Sequence, residues 1–500
     1  MILTALMFGL VVRVLAAVHF ADFSGDQIRD AYVSMEMWEG TLPTLGPSSA
    51  WGDIYLPPLY FYLAFPFTAF GADLSFQAIA NGILTFLSIP LLIFTVYQLL
   101  ATVPHNKRLL IASGAGLWYS LLFQNIIINT GNSLAGNSGS IVFFLLAFVM
   151  LFKYQWEAKL STPGQITCWI LYGVTLALIG NLHFAPLFVM PAAFIGSVIA
   201  FCVKNRRQPK RWALPLLSIG AGVLLMTPYW IGEIDRGWTN TQGIINLIFK
   251  ASNEDGYSVR FLQRLQAIAS GYFSLGTDVY FYHQSTKALL LSVLFLGMIL
   301  VLSLWKFKGD RPIFYLFLGI WTLFLCAYSS TDMSRTYDPV FYKLLIFFAP
   351  IIFTSITVAY LDYSRTLEKV LIFGIIATVS LSAAVNLNLH KNYLVSRYGP
   401  QRIAHTADYI QTVEALPDSA TLCDINGHRP STRVYEYTNK YIVKKPLSFA
   451  IDCEADSYAV YAKFKSNSRF EAVPTQDFSA YEKPHELFYE DDVFYIFHLL

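Results

Sequence analysis

Between Phe76 and Val103 the chain carries no charged residue. About 20 apolar residues of α-helix cross the hydrocarbon core of a bilayer. Inside that core the backbone must satisfy its own hydrogen bonds, which restricts a spanning segment to a helix or a closed barrel. Comparable runs recur at 1–18, 109–128, 137–153, 165–182, 184–203, 212–231, 286–306, 312–329, 340–361 and 367–387. They set the fold class: a polytopic α-helical membrane protein of about eleven spans. Composition agrees, since only 14% of the residues are charged where a soluble domain carries roughly 25%. The first run lacks the basic leader and small-residue cleavage site of a signal peptide. It reads as a retained span, with Arg13 either snorkelling or facing the bundle interior.

Loop charge orients the spans. On one side fall Lys107 and Arg108, Lys153 and Lys159, Lys204 with Arg206, Arg207, Lys210 and Arg211, Lys306 with Lys308 and Arg311, and Arg365 with Lys369. The short loops on the other side, near 129–136, 182–184 and 331–339, carry only Arg335. This is the positive-inside pattern. It holds only if the short aromatic run Leu59–Phe70 lies in the interface and does not cross. The N-terminus is then expected in the cytoplasm, with the first loop and the tail outside a cytoplasmic (inner) membrane.

Two domains follow: 1–387, membrane-embedded with outer loops 21–75 and 232–285, and 388–500, where the composition turns polar. In the second loop Tyr257–Phe273 has the pattern of an amphipathic interfacial helix. The tail patterns as a helix near 403–415, a strand at 420–425, a helix at 430–440, a strand at 457–464 and a closing run at 493–497. That is enough for a small extracytoplasmic α/β domain. Cys168, Cys202 and Cys326 fall in apolar runs and read as core residues. Cys423 and Cys453 can pair if the tail meets an oxidising compartment, contributing about 3 kcal/mol. No Cys/His set has zinc spacing, so metal ligation is not expected. No nucleic-acid motif and no nucleotide-binding P-loop occurs, and the net charge of +2 says little about partners.

The chemistry concentrates behind the first span, in Ser24-Gly25-Asp26-Gln27-Ile28-Arg29-Asp30-Ala31-Tyr32. In a helix Asp26, Arg29 and Asp30 share one face. Charge beside hydrocarbon is costly unless solvated, paired or used. A carboxylate can act as general base toward an acceptor hydroxyl or amine. Cations on the same side, at Arg260, Arg264, Lys287, Arg335 and Lys343, can neutralise a departing lipid phosphate. The plainer readings are a helix N-terminal acid for Asp26, an ion pair for Arg29, headgroup binding for Arg260 and snorkelling for Arg335 and Lys343.

The residues Gly25-Asp26-Gln27-Ile28-Arg29-Asp30-Ala31, Gly40, Pro43, Gly46-Pro47-Ser48-Ser49, Gly52, Leu56-Pro57-Pro58-Leu59-Tyr60-Phe61-Tyr62-Leu63 and Phe70-Gly71 resemble the first outer loop of GT-C glycosyltransferases. Those are the relatives of protein O-mannosyltransferases and lipid A aminoarabinose transferases, here in their bacterial, cell-envelope form. Further echoes are Gly180-Asn181-Leu182-His183 and Pro228-Tyr229-Trp230. The likeness is sharpest over 24–71, looser over 72–390, and does not reach the tail. It implies a polyprenyl-phosphate-sugar donor, inverting transfer of a hexosyl or pentosyl group, and a catalytic aspartate matching Asp26. Many relatives continue with Glu where Gln27 stands, so that second carboxylate is not carried over; Asp30 is its candidate substitute. Arg29, Arg260, Arg335 and Lys343 are the candidate phosphate ligands. Tyr55, Tyr60 and His183 are candidates for the pocket wall, with interfacial anchoring or simple packing as the bland alternatives. The expected partners are the lipid-linked donor, membrane lipids and an unidentified acceptor, with no cofactor. Two other classes fit the same sequence: a flippase for lipid-linked saccharides, disfavoured by the few ionisable residues within the spans, and a non-catalytic assembly partner acting through its tail.

Overall fold

The computed structural model describes residues 1–19, 25–47, 54–72, 74–122, 139–157, 160–182, 184–243, 245–246, 286–330, 340–398, 406–424, 429–450, 453–462, 464–466, 472–474, 485–490 and 494–500. The first span is α1 (Ile2–His19), followed by the amphipathic α2 (Gly25–Trp38). The aromatic run forms α3 (Leu59–Ala64) and a 3-10 turn, Phe65–Phe70. Its brevity suits the interfacial placement expected of it. Then come α4 (Leu74–Leu99), α5 (His105–Leu121), α6 (Gly139–Glu157), α7 (Thr162–Leu182) and α8 (Phe184–Lys204). The run at 212–231 becomes a bent pair, α9 (Leu214–Leu225) and α10 (Thr227–Asp235), with the Thr-Pro of the second helix at the break. The last four bundle helices are α11 (Thr286–Lys306), α12 (Arg311–Ser330), α13 (Val340–Tyr360) and α14 (Thr366–Tyr398). Within the described residues, each apolar run read from the sequence falls largely on a helix. Among the described residues, segments 78–99, 162–182 and 366–392 are each long and apolar enough to cross a membrane alone. The pair ending at Asp235, bent by 57°, is a fourth, and other apolar helices are shorter. The stretch 257–273 lies outside the described residues.

The core runs through the bundle as one apolar cluster that includes Ile89, Trp118, Phe148, Tyr172, Phe314 and Phe353. α1 packs on α4 and α5, α7 on α9, and α13 on α5 and α11. Arg13 takes the interior alternative: it is fully buried, and its Nη1 donates to the Gly9 carbonyl at 3.2 Å. At the end that gathers the basic loops, ion pairs tie helices together. Lys153 Nζ lies 2.7 Å from Glu157 and 2.8 Å from Asp310, joining α6 to the turn before α12. Lys306 reaches Glu368 at 3.1 Å, and Lys107 donates to the Ala359 carbonyl at 2.8 Å.

The final bundle helix continues as helix past 387, where the composition turns polar, to Tyr398. Its 33 residues give a rod of about 50 Å at 1.5 Å per residue, longer than the hydrocarbon core. The tail that follows is α/β. Two helices, α15 (Thr406–Ala415) and α16 (Arg429–Thr438), accompany a five-stranded mixed sheet of order β2-β1-β3-β7-β6. Here β1 is Thr421–Asp424, β2 Ser448–Ala450, β3 Ser457–Ala462, β6 His485–Glu490 and β7 Phe494–Leu499; β4 (Phe464–Ser466) and β5 (Ala472–Pro474) form a separate hairpin. The parallel β1–β3 pair sets Cys423 opposite Ala459, and the antiparallel β3–β7 pair sets Val460 opposite Ile496. Val413, Leu422, Tyr435 and Phe494 fill the domain's own core. Cys423 and Cys453 are joined in a disulfide, with their Cα atoms 5.2 Å apart.

Candidate active site

The acidic stretch forms α2, and burial on α2 is two-sided. One side buries Asp30, 1% exposed, whose Oδ1 accepts from Arg29 Nε at 2.9 Å and Nη2 at 2.8 Å. A carboxylate so deep would cost several kcal/mol without a cation beside it. The structure thus pairs Arg29 with its immediate neighbour. Asp26 falls in the first turn of α2, one turn before Asp30; the surroundings of its side chain lie outside the described residues. The other side of α2 buries Ile28 and Ala31 against Val434 and Tyr437 of the tail. Tyr32 meets the rings of Tyr437 and Tyr441 edge-on, at 5.2 and 5.6 Å. Tyr437 also donates its hydroxyl to the Ala72 carbonyl at 2.7 Å, which closes the tail onto the first loop. Lys440 sits 5.5 Å from the Tyr32 ring centroid and 4.6 Å from that of Tyr441. Its hydrogen bond to Tyr441 holds the ammonium above its ordinary pKa.

Past α2 the loop is fastened to distant parts of the bundle. Trp38 Nε1 donates to Thr68 Oγ1 at 2.8 Å. Gly46 donates to the Leu56 carbonyl at 2.6 Å while Leu56 donates to the Pro47 carbonyl at 2.9 Å. A Cβ at Gly46 would lie 2.4 Å from the Pro57 oxygen, so this approach admits only glycine. Tyr55 is bracketed by the fully buried Asn240, whose Oδ1 accepts from its N–H at 2.6 Å and whose Nδ2 donates to its carbonyl at 3.0 Å. Asn240 Nδ2 also donates to the Tyr229 hydroxyl at 2.8 Å. Two successive left-handed residues, Gly237 and Trp238, both at φ 63°, turn the chain after α10 and so bring Asn240 back to the loop. The Arg236 guanidinium lies 5.0 Å from the Tyr55 ring centroid. At the start of α3 the preceding Pro58 supplies no side-chain cap. Asn181 supplies one instead, its Oδ1 accepting from Leu59 N–H at 3.4 Å. Tyr60 is buried at 5% exposure, and Tyr62 donates to the Pro43 carbonyl at 3.1 Å. Burial pushes the Tyr62 phenol above its ordinary pKa, so it stays a donor.

Of the residues singled out in the sequence, the structure therefore gathers Asp26, Arg29, Asp30, Tyr55 and Tyr60 into one segment clamped by Asn181, Asn240 and the tail. Arg260, Arg335 and His183 lie outside the described residues. Lys343 falls in the first turn of α13, its side chain likewise undescribed. Sequence reasoning passed over Asn181 as a contact, and Asn240, Arg236, Tyr437 and Lys440 altogether. It also passed over Glu233, which is fully buried on α10. Glu233 Oε2 accepts from the Thr241 N–H at 2.8 Å and from its hydroxyl, while Oε1 has no hydrogen-bond partner among the described residues. Among the described residues no group of His, Cys, Asp and Glu has the arrangement of a metal site.

No protein-family model and no curated protein matches the sequence. Solved structures do match. The chain shares its fold with ArnT from Cupriavidus metallidurans, a GT-C lipid A aminoarabinose transferase whose structure holds undecaprenyl phosphate. The TM-score is 0.56 at 10% identity, covering 99% of this chain and 97% of that one. The archaeal oligosaccharyltransferase AglB from Archaeoglobus fulgidus, in complex with an inhibitory peptide and a dolichol-phosphate, aligns at TM-score 0.44 and 11% identity. That alignment covers 88% of this chain and 64% of AglB.

Proposed function

We propose that this protein is a glycosyltransferase that moves a sugar from a polyprenyl-phosphate donor to an acceptor at the membrane surface. The observation that carries the reading is the placement of α2. Within an ArnT-like fold, its Asp26 and Asp30 follow directly on the first span, and the helix is held by the tail and the clamped first loop. ArnT was solved with undecaprenyl phosphate, and a lipid of that class suits a bundle whose site sits at the end of its spans.

In this reading the bundle crosses a cytoplasmic membrane about eleven times. The paired cations Lys107, Lys153 and Lys306 mark the cytoplasmic end, and α2 and the tail lie outside. A disulfide between Cys423 and Cys453 accords with an oxidising compartment for the tail. Asp26 accepts the proton of the acceptor hydroxyl or amine as its O or N bonds to the anomeric carbon. The bond from that carbon to the phosphate oxygen breaks from the opposite face, inverting the centre, and the polyprenyl phosphate departs with the electron pair. Arg260, Arg335 or Lys343 neutralises it. Asp30, held by Arg29, orients the sugar or acceptor. No metal is required, because proton transfer and charge neutralisation are both supplied by side chains.

The test is transfer by purified protein given polyprenyl-phosphate sugars and cell-envelope acceptors. Full turnover by a normally folded Asp26→Asn variant sinks the catalytic assignment. Scrambling of lipid-linked saccharide in liposomes without transfer would identify a flippase instead.

A further inference from the structure

At the end of the bundle away from α2, a groove of about 530 Å³ opens between α6, α8 and α12. Two glycines hollow it out. A Cβ added at Gly196 on α8 or at Gly319 on α12 meets nothing within 4 Å. Apart from Ser197, Tyr315 and Arg311 its walls are apolar, with Leu316 and Leu323 along α12. Trp156 closes the end nearest the basic loops. Arg311, the first residue of α12, stands at the mouth. Lys204 joins it: its Nζ donates to the Trp156 carbonyl and lies 4.3 Å from the Trp156 ring centroid.

Charge at this mouth is unbalanced. The nearby carboxylates, Asp310 and Glu157, are both taken by Lys153. Among the described residues neither Arg311 nor Lys204 forms an ion pair. Counted with Lys153, three cations stand against the two carboxylates Glu157 and Asp310, so a net charge of +1 sits over the slot. From Arg311 to Leu323 the groove follows α12 for about 18 Å at 1.5 Å per residue. One leaflet of hydrocarbon is about 15 Å deep, half of a core of ~30 Å. The slot is the length of an acyl chain within one leaflet, and far too short for a polyprenyl tail. Basic pockets between spanning helices are suited to phosphate headgroups.

We infer that this groove binds one anionic glycerophospholipid, with an acyl chain along Gly196 and Gly319 and its phosphate on Arg311 and Lys204. The site is separate from α2, and the inference uses no step of the transfer reaction. The experiment is native mass spectrometry of the whole protein in mild detergent after addition of phosphatidylglycerol, phosphatidylcholine or undecaprenyl phosphate. Thermal unfolding monitors the fold of each variant. The expected result is one retained phosphatidylglycerol per chain, at least fivefold over phosphatidylcholine. Arg311→Gln should bring the two lipids level. The double substitution Gly196→Leu with Gly319→Leu, whose added Cβ atoms meet nothing within 4 Å, should lower retention of both at an unchanged unfolding temperature. Equal retention of the two lipids by the natural protein would overturn the proposal without any variant. So would variants that hold phosphatidylglycerol as before. Displacement of phosphatidylglycerol by undecaprenyl phosphate in the natural protein, lost in the double variant, would assign the groove to the donor lipid and overturn it as well.

Discussion

The two ends of the bundle handle charge in opposite ways. At the end with the basic loops, Lys153 and Lys306 face carboxylates of other helices or of the turns between them, and Lys107 reaches a carbonyl on α13. The contacts of Lys153 with Asp310, Lys306 with Glu368 and Lys107 with the Ala359 carbonyl each join two elements. At the other end, the buried carboxylate of Asp30 takes its cation from the next residue. The work of fixing is done there by uncharged groups, Asn181 and Asn240 on backbone amides and Tyr437 on a backbone carbonyl. Among the described contacts, one end is braced largely by ion pairs and the other largely by neutral hydrogen bonds.

Substitutions should separate the two ends. The largest effect is expected from Asp26→Asn: transfer should fall by about 10²–10⁴-fold, the usual worth of a positioned general base, with unfolding unchanged. Steady-state assay beside thermal denaturation reads both. Lys153→Met should do the reverse. It leaves Asp310 and Glu157 without their cation, a loss of about 3–5 kcal/mol for a buried pair, while turnover per folded molecule stays level. A fall in specific activity matching that of Asp26→Asn would erase the contrast between the ends. Tyr437→Ala should cost about 3 kcal/mol for its lost ring volume and, because α2 loses its support, lower kcat more than it raises KM. Restoration of kcat by Tyr437→Phe would locate the effect in packing and not in the bond to Ala72. Asn240→Ala should have the smallest effect. It removes three neutral hydrogen bonds that are worth about 1 kcal/mol each at most in net terms, and faster proteolysis of the first loop would report it.

Most of the fold was legible because hydrocarbon imposes a simple code. An uncharged run such as 76–103 reads as helix, and its residues 76–99 lie on α4. The short run at 59–70 was legible for the converse reason, being too brief to cross. In the tail, the strand expected at 457–464 lies on β3, and the closing run at 493–497 overlaps β7. α2 stood out because charge beside apolar runs is rare. The fastenings of the site were not legible. Asn240 and Tyr55 are 185 residues apart, and Asn181 and Leu59 are 122 apart. Neither asparagine belongs to a periodic pattern, and a single buried amide leaves no mark in composition. Arg29 was readable as a pairing residue, and it pairs with Asp30. Glu233 was hidden likewise, because a lone acid after a span looks like any loop charge.

That separation in sequence has a consequence for synthesis. Asp26 leaves the ribosome early, but the segment around it cannot be closed until Asn181 and then Asn240 have been made. At about 5–20 residues per second, the 185 residues between Tyr55 and Asn240 take on the order of 10–40 s. Tyr437 arrives later still. The first loop of the chain is thus among the last parts to be assembled, and a nascent or truncated chain carries its acidic helix unclamped until the tail is complete.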